Sequence, residues 1–89
     1  MREFTIDILA ARSREDFVNA VNAGLCERVG GHWHGNSWDA FHDYLSWPEE
    51  ESFRLIIRGW QAFHGLTPEE RKMVLDIFGN NPHVETVLT

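Results

Sequence analysis

Asp39 and Asp43 stand four positions apart in the stretch GNSWDAFHDYLSW, where apolar residues recur at helical spacing, and His32, His34 and His42 lie close by in the chain. Such a set admits several chemistries. Paired carboxylates act as general acid and base when their environments differ and a nucleophile is near. No glycosidase, protease or phosphatase motif accompanies this pair. Carboxylates and imidazoles are standard zinc ligands, yet the spacing of His32, His34 and His42 around the aspartates matches no recognised zinc module. Two carboxylates on one helix face also engage arginine, lysine or protonated histidine of a partner through charge-assisted hydrogen bonds. The remaining reading is plain solvation of two surface residues. Like charges at this spacing destabilise a helix by about 0.2–0.5 kcal/mol, and the helix dipole offsets that mainly for Asp39, near the N-terminus. Spacing alone leaves solvation and binding both open.

The elements that must position these residues are legible as periodicities. In EFTIDIL, Phe4, Ile6 and Ile8 alternate with Thr5 and Asp7, the pattern of a half-buried strand. Ser13 is placed to cap a following helix, with Asp16 as a weak capping-box partner and Phe17, Val21 and Leu25 as its apolar stripe. Gly30, Gly31 and Gly35 break the pattern, so His32, Trp33 and His34 fall on a loop. A second helix opens at Asn36 or Ser37, both competent N-caps, with Trp38, Phe41, His42 and Leu45 in one stripe. Trp38 is then expected in the core and Trp33 exposed as a contact residue. SFRLIIRGW reads as a central strand with both faces partly covered, and Trp60 and Phe63 as core residues beneath its end. In LTPEERKMVLDIFGN, Thr67 caps a third helix, Pro68 takes the first position, Glu70 completes the box and Gly79 ends it. HVETVLT is a terminal strand. Strands separated by helices imply an α/β fold: a three-stranded parallel sheet with helices packed mainly on one face.

With 89 residues, residues 1–89 are expected to form a single domain. The one cysteine, Cys26, cannot form an intramolecular disulfide, and it reads as a small buried hydrophobe. The N-terminal apolar run is broken by Asp7 and ended by Arg12, too short and polar for a signal peptide or a membrane span. A cytoplasmic protein with no membrane association is expected. Eight basic and fourteen acidic residues give a net charge of −6, and the basic ones are scattered, which argues against direct nucleic-acid binding. A basic protein partner fits better.

WHGNSWDAFHDYL, followed by a strand ending in WQAF and a later helix containing VLDIF, resembles the barstar family of intracellular ribonuclease inhibitors. The most specific part is G-x-x-x-D-A-Φ-x-D-x-L, with Φ apolar, from Gly35 to Leu45; the order of elements agrees over nearly the whole chain. The resemblance implies a barstar-like α/β fold and a stoichiometric inhibitor of a small secreted guanyl-preferring ribonuclease. Such an inhibitor protects the producing cell, in the manner of an antitoxin, until the enzyme is exported. By position, Asp39 and Asp43 would occupy the ribonuclease's phosphate-binding region, with Asp43 inserted deeper. Trp33 falls where the family has a tyrosine that packs on the enzyme, and Gly35 at a glycine that allows close backbone approach. Trp47 lies near contacts at the far end of the helix.

This sequence departs from the best-known member at several contact positions. His42 stands in place of a tryptophan and Ser37 in place of an asparagine, with Asn36 beside it at the rim. The family's extra acidic contact falls at Asn80, with Asp76 one turn earlier as a substitute. The expected partner-binding set is therefore Trp33, Gly35, Asn36, Asp39, His42, Asp43, Trp47 and Asn80. No catalytic residue, metal, cofactor or small-molecule substrate is implied. The alternative is a binding module of the same fold for a different basic protein.

Overall fold

Alternation in the sequence becomes a sheet with one wet face and one dry one. The computed structural model describes residues 2–46 and 52–89. Strand β1 (Arg2–Asp7) pairs in parallel with β2 (Phe53–Arg58), and β2 pairs in parallel with β3 (Val84–Leu88), so β2 is central as its apolar content predicts. Phe4, Ile6 and Ile8 from the first segment meet Phe53, Leu55 and Ile57 on the buried side. The other face carries rows of charge. Arg54 bridges Glu3 at 3.5 Å and Glu85 at 3.3 Å, and Arg58 approaches Asp7 at 4.0 Å. Ile56 lies half-buried on that face between its register partners Thr5 and Val87. Exposed pairs of this kind contribute about 0–1 kcal/mol each, so the sheet is held chiefly from its apolar side.

Three helices cover that side. Helix α1 (Arg14–Val21) starts at the predicted cap, where the Ser13 hydroxyl accepts from the Asp16 N–H at 3.1 Å. Past Val21 the helix widens into a π turn, Asn22–Cys26, then tightens into a 3₁₀ turn, Glu27–Val29, and stops at Gly30 with φ of 83°. A Cβ on Gly24 would collide with the carbonyl of Thr5, so this glycine lets the π turn lie directly on β1. Helix α2 (Trp38–Ser46) and helix α3 (Pro68–Gly79) follow. Phe17, Val21, Leu25, Phe41, Leu45, Val74, Ile77 and Phe78 join the strand residues in one buried cluster. The start of α3 is the full capping box that Thr67 and Glu70 predict. Glu70 also accepts from the Arg14 Nε–H at 2.8 Å, and that bond holds its carboxyl below the usual range. Gly79 does not terminate α3 through a left-handed residue; it is the last helical position, and Asn80 caps the end in right-handed geometry. Trp60 and Phe63 are buried as expected, with the Arg71 guanidinium 4.2 Å from the Trp60 ring centroid. Cys26 is buried, and burial pushes its thiol up to about 11, which leaves it an inert packing residue.

The Thr86 hydroxyl, on the core side of β3 opposite Leu55, is buried with no hydrogen-bond partner among the described residues. Removing an unsatisfied buried hydroxyl while keeping the branched shape recovers its desolvation cost, about 1 kcal/mol or somewhat more. Thr86→Val is therefore expected to raise the midpoint of chemical denaturation without changing its slope. A lowered midpoint would show that the hydroxyl is satisfied in solution.

Candidate functional site

Helix α2 buries Phe41 and Leu45 against the core and turns Asp39 and Asp43 outward, where both are exposed. Residues four apart on a helix have Cβ atoms about 5–6 Å from each other, so the two carboxylates share one patch. Among the described residues neither takes part in a salt bridge or a side-chain hydrogen bond.

The helix is fastened at both ends. Before it, the buried Asn22 of the π turn grips Trp33 as a neighbouring strand would: the Trp33 N–H donates to Asn22 Oδ1 at 2.6 Å, and Asn22 Nδ2 donates to the Trp33 carbonyl at 2.7 Å. Tyr44 does the same for His32, its hydroxyl accepting from the His32 N–H and donating to the His32 carbonyl, each at 2.9 Å. The indole N–H of Trp33 donates to the Ser37 carbonyl at 2.9 Å, tying the loop to the residue that precedes α2. Gly35 closes the approach with φ of 80°, and a Cβ there would lie 2.6 Å from a Val18 methyl. At the far end the Ser46 hydroxyl donates to Asn81 Oδ1 at 2.9 Å and accepts from His42 Nδ1–H at 3.2 Å, while Asn81 Nδ2 donates to the Ile77 carbonyl at 2.7 Å. His83 Nε2–H donates to the Leu45 carbonyl at 2.8 Å. The carboxylates thus project from a helix whose pitch and position are set by polar bonds as well as by the core.

The expected site residues fare unevenly. Asp39, Asp43 and Asn36 are exposed, and His42 is half-buried on the same helix. Trp33 is a correction: it is 1% exposed, packed edge to face on Phe17 and tilted against Phe41 and Trp38 at centroid distances of 6.4, 5.2 and 5.3 Å. A ring so enclosed has no face to offer a partner. Trp38, expected inside, is the partly exposed member of the pair, with the Arg14 guanidinium 5.4 Å from its ring. Exposure alternates along the loop, Trp33 inward and His32 and His34 outward, while Trp38 is partly buried and packs against the same core cluster. Asn80 is exposed at the end of α3 next to the buried Asn81 that meets Ser46. Asp76, one turn earlier, is exposed as well. The expectation for Trp47 lies outside the described residues.

Asn22, Tyr44 and Asn81 carry no signal in the sequence, and His83 reads there as an ordinary polar residue at an element boundary. Their partners lie eleven, twelve, thirty-five and thirty-eight positions away, so no local spacing betrays them. The rings of His32 and His34 meet edge to face at 4.9 Å, but among the described residues no three His, Cys, Asp or Glu side chains converge as metal ligands. Among those residues, too, no helix is long and apolar enough to cross a membrane. An open groove lined by His64, Leu66, Pro68, Arg71, Lys72 and Leu75 takes none of its walls from α2 or the loop before it.

Comparison with known proteins gives no match among curated proteins and none among solved structures. Residues 1–83 of the 89 match the family model described as Barstar (barnase inhibitor). Together with the parallel three-stranded sheet and its helices, that coverage means the chain belongs to the barstar family, a family of barnase inhibitors.

Proposed function

We propose that this protein is a stoichiometric, reversible inhibitor of a small extracellular guanyl-preferring ribonuclease, acting in the cytoplasm of the cell that makes the enzyme. The observation that carries the reading is the pair of exposed carboxylates, Asp39 and Asp43, unpaired among the described residues on a helix fastened at both ends. A ribonuclease concentrates positive charge where the scissile phosphate sits. Two fixed carboxylates imitate the charge of RNA there without presenting a bond to break. Because the helix is already positioned, docking freezes few additional degrees of freedom, and less of the interaction energy is lost to ordering. The repulsion between Asp39 and Asp43, a small cost in the free chain, is relieved when the partner's cations arrive.

The reading is tested by titrating purified barnase with the protein and following RNA cleavage. Activity should fall linearly to a one-to-one end point. Undiminished cleavage at excess inhibitor, with a stable complex to some other basic protein, would instead favour the alternative of a binding module on the same fold.

Charge complementarity also governs how fast the complex forms. Steering accelerates association by about ten- to a thousandfold and decays as the Debye length shrinks to roughly 8 Å at 0.15 M salt. Stopped-flow association should therefore slow by about tenfold or more from low to high salt, with a much smaller change in the dissociation rate. A salt-independent association rate would remove the electrostatic part of the reading.

A further inference from the structure

We infer that the groove along the outer face of α3 is a second binding site, which takes an acidic peptide segment of another protein with apolar side chains beside its carboxylates. The groove shares no wall with α2 or the loop before it, so it is separate from whatever docks on Asp39 and Asp43.

Pro68, Lys72 and Leu75 recur on α3 at intervals of four and three, so they form one stripe, and all three are exposed. Leu75 is 44% exposed, while Val74, Ile77 and Phe78 supply the buried side of the same helix. The buried Leu66, together with His64 and Arg71, completes the lining of a space of about 640 Å³. That volume holds several side chains, and because the groove is open an extended segment can lie across it.

The charge of the groove is the reverse of the chain's. Against a net charge of −6, Arg71 and Lys72 are the only adjacent basic residues in the sequence, and Lys72 is its only lysine. Arg14, Arg54 and Arg58 are paired with carboxylates. Among the described residues neither Arg71 nor Lys72 is, although Glu69 and Asp76 flank Lys72 on the helix at three and four positions. The Arg71 guanidinium donates instead to the carbonyls of Phe63 and Trp60 and lies 4.2 Å from the Trp60 ring centroid, so its positive charge is fixed in place. A cation held in this way loses little freedom when it meets a carboxylate. A purely ionic ligand leaves Pro68 and Leu75 wet, and a purely apolar one leaves Lys72 and Arg71 uncompensated. A segment bearing both kinds of side chain satisfies both. A second copy of this chain brings a further charge of −6, and an RNA strand a phosphate at every step, so long-range repulsion disfavours each of them.

Reductive methylation with isotope-labelled formaldehyde puts an NMR reporter on Lys72 and on the α-amine while keeping the charge of both. The probe is a synthetic peptide that alternates glutamate with leucine, and its two counterparts replace leucine by serine or glutamate by lysine. The glutamate–leucine peptide should move the Lys72 signal saturably and leave the α-amine signal in place; neither counterpart should do so. By isothermal titration Leu75→Ser should weaken binding by about tenfold, Lys72→Glu should remove it and Lys72→Arg should retain it. Both side chains are exposed, so the melting temperatures of the variants should stay near that of wild type. Absence of binding, equal binding of the serine counterpart, or equal movement of both amine signals would overturn the inference. So would a short RNA that moves the Lys72 signal as the peptide does, or a concentration-dependent dimer in sedimentation that Lys72→Glu dissolves, since each gives the groove a different occupant. All of these outcomes leave the inhibitor reading in place.

Discussion

Asp43→Ala should abolish tight inhibition while leaving the protein at least as stable as before. The side chain is exposed, touches no cation among the described residues and sits one turn from a like charge. Its removal relieves about 0.2–0.5 kcal/mol of repulsion and substitutes the best helix former. In the proposed complex the same carboxylate would face desolvated positive groups, and truncating one side of such a pair costs about 2–5 kcal/mol, roughly thirty- to several-thousand-fold in Kd. Asp39→Ala should cost less. That carboxylate lies in the first turn, where the helix dipole favours it already in the free protein. Asp43→Asn, which keeps the shape and loses the charge, should behave like Asp43→Ala if electrostatics carries the contact. Inhibition curves and melting temperatures for the three variants would decide it: equal inhibition by all of them and wild type would show that the acids are ordinary solvated residues.

The parts of this molecule that sequence made legible are those in which cause and effect lie close together in the chain. Phe4, Ile6 and Ile8 announce a strand because burial on a pleated sheet has a period of two. Thr67, Pro68 and Glu70 announce a helix start because the unpaired N–H groups they satisfy are within three residues. The acidic pair is visible for the same reason, and the role proposed for it rests on the resemblance carried by Gly35 to Leu45. What local pattern could not give is the inside and outside of the loop before α2. Glycines on both sides of Trp33 suggested an exposed aromatic, but a ring goes where there is room and where its backbone can be satisfied. Both conditions depend on Asn22, far away on another element. Likewise the C-terminal fastening by Asn81 and His83 pairs residues across the whole second half of the fold. The charged patch was thus readable while the framework that aims it was not, because the patch is local and the framework is tertiary.

That framework predicts the second large effect. Asn22→Ala should lower both stability and affinity, and so differ in kind from the aspartate variants. Asn22 is 3% exposed and holds the Trp33 N–H and carbonyl at 2.6 and 2.7 Å, with a further bond from its amide to the Val18 carbonyl at 3.1 Å. Alanine leaves the two Trp33 backbone groups buried without partners at about 1–3 kcal/mol each, a total of roughly 2–6 kcal/mol. Against a typical stability of about 5–15 kcal/mol that is a large share, and at about 4–8 °C per kcal/mol it lowers the melting temperature by about eight degrees or more. Asn22→Asp keeps the acceptor for the Trp33 N–H and loses the donor, while burying a charge, so it does not rescue the fold. The functional consequence follows from the geometry. With Trp33 no longer gripped, the indole bond to Ser37 and the Tyr44 bonds to His32 must order the loop alone, and the surface that precedes Asp39 becomes a set of conformers of which only some can dock. The apparent Kd then rises by the inverse of the competent fraction even at temperatures where the protein is folded. Measured well below the melting transition, a weakened Kd together with faster hydrogen exchange at the Trp33 amide would identify the clamp as the device that positions the binding loop. An unchanged melting temperature would mean that water or a rearranged backbone replaces Asn22, and that packing of the Trp33 ring alone aims the helix.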